Sequence, residues 1–207
     1  MPHARTSSAL AALGGATVAS IALLLGGAGS TVATQPEGEM NPADIMAEYA
    51  KMNQLGDHHR ALDPIVGTFK AKMTAAMEGM PNLEIDGTLT AKWVMNGKFV
   101  ESVWKSDFMG QPMVGKSFTG YSTIDKKYQT LWMDDMGTTM YYAEGTAGTN
   151  PKAFTTYGSE TDAMTGQTKR YMDVITIKDN DHYSMVRSYL TAEGPVKGFW
   201  IDYTRVK

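Results

Sequence analysis

Between Arg60 and Met77 the chain alternates apolar and polar side chains one by one. Ile65, Gly67, Phe69, Ala71, Met73, Ala75 and Met77 fall on one face, and Val66, Thr68, Lys70, Lys72 and Thr74 on the other. A period of two with one apolar and one charged face predicts a half-buried strand after a short lead-in turn; a helix would wrap Lys70 and Lys72 towards the apolar side. Pro64 cannot donate a ladder hydrogen bond and suits the strand's start. The alternation resumes with Ile85, Gly87, Leu89, Ala91, Trp93 and Met95 against Asp86, Thr88, Thr90 and Lys92. Asn96-Gly97 then predicts a tight hairpin. A two-residue turn there sets Met95 against Lys98, Trp93 against Val100, Lys92 against Glu101 and Leu89 against Trp104. Trp93, Val100, Leu89 and Trp104 then share the inner face, while Lys92 and Glu101 pair outside.

Seven more strands are predicted near 113–121, 127–134, 138–146, 153–159, 168–178, 182–190 and 196–206, separated by turn-forming runs such as Gly148-Thr149-Asn150-Pro151 and Ala192-Glu193-Gly194-Pro195. That makes about ten short strands with no helix between them, which predicts an all-β chain. A closed antiparallel barrel is preferred, because an open meander of this length would expose two long edges. Ahead of the strands, Asn41-Pro42 supplies an N-cap and a first helical residue. Ile45, Met46, Tyr49 and Met52 recur at helical spacing, and Gly56 offers a stop. A helix over roughly 42–55 is expected to pack its apolar stripe on the barrel.

The amino terminus changes the picture of where the chain works. Arg5 precedes an apolar, small-residue run from Ala9 to Gly29 centred on Ile21-Ala22-Leu23-Leu24-Leu25, and Thr31-Val32-Ala33 offers a cleavage site. This is the pattern of a secretory signal peptide; an uncleaved anchor is the alternative. The expected organisation is a signal peptide over 1–33, a leader with an amphipathic helix over 34–57 and a barrel domain over 58–207. The expected location is periplasmic or extracellular, with no stable membrane span after cleavage. Loss of residues 1–33 removes Arg5 and takes the formal charge from −3 to −4. The remaining charges are scattered, so neither nucleic acid nor an anionic membrane face is an expected partner. The absence of cysteine excludes disulfides, thiolate metal sites, a cysteine nucleophile and a lipoprotein anchor.

Candidate chemistry is sparse. His58 and His59 are adjacent and His182 follows a turn, a spacing that predicts structural or surface roles and no metal site. An iron-haem reading would need one of them inside the barrel. The 16 methionines include Met77-Glu78-Gly79-Met80 and Met133-Asp134-Asp135-Met136 with Met140, where copper-type thioether clusters compete with the reading that Met fills irregular cores. The carboxylates Asp134, Asp135, Asp162, Asp173 and Glu144 are the candidates for an acid–base pair. Asp134 and Asp135 cannot both face inward from one strand. There is no nucleophile elbow, phosphate loop or HExxH motif, and no cofactor is expected. The lumen is the remaining candidate. Trp93 and Trp104 are placed inward by the hairpin register, and Trp132, Tyr142, Arg187 and Tyr203 by alternation. Aromatic rings with one Arg would suit a small apolar or amphipathic ligand, such as a fatty acid. The competing reading is a filled core with Arg187 paired to Asp173 or Glu144. A barrel-mouth hydrolase and a protein-interaction module are the other function classes.

Several short motifs occur in a recognisable order. They are His58-His59-Arg60 leading into Leu62-Asp63-Pro64-Ile65-Val66-Gly67-Thr68-Phe69, the Asn96-Gly97-Lys98-Phe99-Val100 hairpin, Ser106-Asp107-Phe108-Met109-Gly110, Thr119-Gly120-Tyr121, Leu131-Trp132-Met133-Asp134, Asp162-Ala163-Met164-Thr165-Gly166 and Ile201-Asp202-Tyr203-Thr204-Arg205. Over roughly 57–206 this order resembles the bacterial family known as domain of unknown function 1579. The resemblance implies a lipocalin-like antiparallel barrel and no particular activity, cofactor or catalytic residue. A looser similarity is to the calycin barrels, in which a ring on the first strand packs near an Arg on the last. Here that implies a structural closure between Phe69 and Arg205.

Overall fold

The structure is a computed structural model that describes residues 41–77, 79–163 and 165–207; the expected signal peptide and the first part of the leader lie outside them. Two short helices, α1 (Pro42–Met52) and α2 (Asp57–Arg60), and a 3-10 turn (Asp63–Ile65) precede ten strands. The strands are β1 (Gly67–Ala75), β2 (Leu83–Val94), β3 (Phe99–Phe108), β4 (Gln111–Ser122), β5 (Lys127–Asp134), β6 (Tyr141–Gly145), β7 (Ala153–Thr161), β8 (Thr168–Ile177), β9 (His182–Thr191) and β10 (Gly194–Arg205). Each pairs antiparallel with its sequence neighbour, and β1 pairs with β10 to close the barrel. The closed all-β architecture agrees with the alternation in the sequence.

The β2–β3 register matches the predicted one at Leu89–Trp104, Lys92–Glu101 and Trp93–Val100. The turn itself differs. Met95, Asn96 and Gly97 all take positive φ, at 50°, 58° and 79°, in a four-residue loop. Only Asn and Gly visit this region cheaply, so Met95 adopts a costly conformation while the strand pairing stays in register. The Lys92–Glu101 pair forms outside at 3.3 Å and shares Glu101 with Lys116.

Two other expectations change. The strand expected over 138–146 shortens to Tyr141–Gly145, because Asp135–Met140 forms the connection. Helix α1 buries none of its residues, and Met46, Tyr49 and Met52 stay exposed. Its stripe therefore does not pack on the barrel wall. The helix is tied by the Thr123 hydroxyl donating to the Met52 carbonyl at 2.6 Å and by Leu55 lying against Gly97.

Inside the barrel, rings lie flat over glycines of adjoining strands. Trp104 covers Gly87, Trp132 covers Gly115, Tyr171 covers Gly158 and Tyr189 covers Gly198. A methyl at Gly87 would sit 2.7 Å from the Trp104 ring, and methyls at Gly115 and Gly158 would overlap Trp132 and Tyr171. Glycine kinks of this kind let a sheet curve into a barrel, and the ring restores the buried contact that the missing side chain would have made.

Candidate functional site

One end of the barrel is plugged by the segment before β1. Leu62 is fully buried and Ile65 nearly so, packed with Phe69, Ala91, Val100 and Tyr128. His59 is buried in the plug. Its Nδ1 accepts the Gly56 N–H at 3.1 Å, and its other nitrogen donates to the Tyr121 carbonyl, which fixes the Nε2–H tautomer. Burial lowers the His59 pKa from 6.5, with the neighbouring His58 and Arg60 adding to the effect against that carbonyl bond. His58 stacks on Tyr121 at 4.2 Å. The Tyr128 hydroxyl donates to the His58 carbonyl, and burial pushes that phenol up to about 12. His182 bonds Asp179 beside the β8–β9 turn. None of these three histidines lines the lumen.

At the same end Arg205 reaches across the seam. Its guanidinium lies 4.5 Å above the Phe69 ring and donates to the carbonyls of Val66 (2.7 Å), Pro64 (2.8 Å) and Asn180 (2.8 Å). Gly67, at φ +136°, sits directly beneath, where a Cβ would overlap the guanidinium. These contacts join the first strand, the last strand and the plug through one cation.

Beyond the plug the lumen holds a cavity of about 370 Å³. It reaches the other end of the barrel, where Phe108, Met113 and Asp134 are only half-buried. Trp104, Trp132, Arg187 and Tyr203 line it, as the alternation predicts. Trp104 donates to Ser106 Oγ at 2.8 Å and Trp132 to Asp134 Oδ2 at 2.9 Å. Tyr203 stacks on Tyr183 with centroids 4.1 Å apart.

The other two candidates do not line the cavity. Trp93 faces inward but at the level of the plug, where its indole donates to Asp63 Oδ1 at 3.0 Å. Alternation settles the face of a strand residue and not its height along the barrel. Tyr142 faces outward and is 48% exposed; its hydroxyl bonds Glu144, which also takes Lys127. The phase of β6 is set by the preceding connection, so Tyr141 and Ala143 turn inward and Tyr142 out.

Arg187 is fully engaged. Its Nε and Nη2 make a two-pronged pair with Asp173 at 2.8 and 2.7 Å, and its Nη1 donates to Glu160 at 3.0 Å. The guanidinium lies 3.7 Å over the Tyr171 ring. Tyr189 donates its hydroxyl to the other Glu160 oxygen at 2.7 Å. Burial raises the Asp173 carboxyl above its ordinary pKa of 3.8, against the pull of Arg187. The expected Arg187 partner Asp173 is therefore present, while Glu144 sits on the outer face. Glu160 was not singled out because the strand was expected to end at Ser159. Extending the alternation Phe154, Thr156, Gly158 by one step would have found it. Thr156, also inward on β7, is 0% exposed, and its Oγ1 has no hydrogen-bond partner among the described residues.

The methionines divide. Met73, Met113 and Met185 line the cavity, but Met77, Met80, Met136 and Met140 are exposed, so core filling does not account for them. Asp134 turns inward while Asp135 turns out to accept the Val114 N–H. No group of three His, Cys, Asp or Glu side chains among the described residues is placed to hold a metal ion, and no described helix is long and apolar enough to cross a membrane.

Two solved structures are similar to this chain. The crystal structure of Rv2717c from M. tuberculosis aligns over 74% of this chain and 100% of its own, with a TM-score of 0.55 and 14% identity. A redesigned β-barrel aligns over 72% of this chain and 96% of its own, with a TM-score of 0.40 and 11% identity. No curated protein matches the chain. The family model described as "Protein of unknown function (DUF1579)" matches residues 54–205, and with the motif order and the ten-strand barrel in agreement, the chain belongs to that family.

Proposed function

We propose that this protein is an exported, lipocalin-like binding barrel that holds one small, mostly apolar ligand. The observation that carries the reading is the 370 Å³ cavity walled by Trp104, Trp132, Met185, Phe199 and Ile201 behind a sealed plug. Small-molecule sites are typically concave, mostly apolar and largely preformed, with a few convergent polar groups. The volume lies within the range usual for small-molecule pockets, about 300–1,000 Å³. The signal-like sequence ahead of Thr34 supports export.

The test is native mass spectrometry of the protein purified from its own host, followed by organic extraction. The expected result is a chain beginning at Thr34 that carries a reproducible extra mass recovered in the extract. A chain that retains residues 1–33 refutes signal cleavage. A bare mass, together with no saturable uptake of small apolar probes by the purified protein, refutes the binding reading.

A further inference from the structure

We propose that the polar end of the cavity is a subsite for the ammonium head of an amphipathic amine, seated against Glu160, Asp173 and Thr156. The inference deepens the binding reading and rests on it. A lone Arg in an apolar lumen suggests an acidic ligand, but Arg187 is already taken. Three of its nitrogens hold Asp173 and Glu160, and its planar face is laid on Tyr171. An incoming carboxylate would have to displace one of these acids and would meet the other at short range in a poorly screened interior.

The charge balance runs the opposite way. Asp134, Glu160 and Asp173 line the cavity against the single guanidinium of Arg187. Each Glu160 oxygen takes one donor, Arg187 on Oε2 and Tyr189 on Oε1, which leaves acceptor capacity on both. The excess negative charge is matched by a ligand that brings a cation with N–H donors.

Thr156 is the independent observation. It stands directly across the β7–β8 ladder from Asp173. It lines the same cavity, and its fully buried hydroxyl has no hydrogen-bond partner among the described residues. Buried hydroxyls are rarely left unpaired, and this one flanks Asp173 on the cavity wall. The aromatic lining adds to the selection, because ring faces attract desolvated cations. Arg187 already uses this attraction against Tyr171 and Phe199.

The experiment is calorimetric titration of the delipidated protein with decylamine, decanol and decanoate at pH 7, ligands with one tail and three heads. The expected order is decylamine first, at least tenfold tighter than decanoate, with decanol between. Glu160→Gln is expected to remove most of the amine's advantage over decanol. Thr156→Val should weaken decylamine and decanol together, by about fivefold, with the fold checked by circular dichroism. Decanoate binding as tightly as decylamine overturns this inference and leaves the binding reading standing. Glu160→Gln leaving the order intact also overturns it. No heat with any of the three overturns both.

Discussion

Replacing Thr156 by Val exchanges one hydroxyl for one methyl at almost constant shape. Oγ1 is fully buried and has no hydrogen-bond partner among the described residues, and such a group costs about 1–3 kcal/mol. The new methyl gains about 0.8 kcal/mol for its burial, and Val suits a strand at least as well as Thr. Part of the combined gain is lost to imperfect fit among Phe154, Tyr171 and Asp173, so a net stabilisation of about 1–2 kcal/mol is expected. For a domain of this size that raises Tm by roughly 2–8 °C. Thr156→Ser, which keeps the hydroxyl and loses the methyl, is expected to destabilise by about 1 kcal/mol. The assay is urea denaturation of ligand-stripped protein at pH 7, followed by circular dichroism and tryptophan fluorescence. A Thr156→Val protein that is less stable than the parent by 1 kcal/mol or more refutes the reasoning, since the hydroxyl must then have a partner in the empty state. Stabilisation combined with weaker amine binding would mean that this residue trades folding stability for recognition.

Arg187→Met leaves Asp173 without its ion-pair partner and Glu160 with the Tyr189 hydroxyl alone and is expected to cost about 3–5 kcal/mol in the same urea assay; a loss below 1 kcal/mol would contradict the buried ion-pair network. Arg205→Lys cannot hold three carbonyls and a ring face at once. A loss of about 2–4 kcal/mol is expected, with faster amide exchange at Val66 and Phe69, and unchanged exchange there would refute the seam argument. His59 supplies a pH dependence. Burial lowers its proton affinity in the folded state from the ordinary 6.5, so below that pH the unfolded chain binds more protons than the folded one. Its contribution is therefore present above pH 6.5 and lost as pH falls through the lowered folded value. Urea midpoints should drop over that range in the parent and drop less in His59→Gln; equal pH slopes would contradict the assignment.

The barrel was legible because its signal is local. Period-two alternation needs only neighbours, and Asn96-Gly97 aligns two strands by itself, so the pairing of Leu89 with Trp104 followed from the sequence. What failed were quantities that depend on several strands together. Trp93 has the expected face, yet its distance along the axis depends on the stagger around the whole barrel. Tyr141 and Tyr142 are equally aromatic, and only the length of the Asp135–Met140 connection decides which turns inward. Arg187 could be placed inward from its own strand, but its partners come from two others. Asp173 faces it across the β8–β9 ladder. Glu160 lies one strand further on, at a strand end where boundaries are least certain. The α1 stripe looks like a packing face by spacing alone, and nothing in its own sequence reveals that it stays uncovered.

The rings laid over glycines have a consequence for how such a barrel diversifies. The width of a barrel is set by strand number and stagger, but the space left inside depends on how closely each ring lies against the wall. At Gly115 and Gly158 that closeness exists only because no side chain stands behind Trp132 and Tyr171. A single alanine at Gly115, where only the Trp132 ring stands in the way, would tip that ring into the void and shrink the lumen from behind. The capacity of the lumen is thus encoded in residues that stand behind its wall. Lumen size can change step by step there, while the fold, the plug and the Arg205 seam are inherited intact.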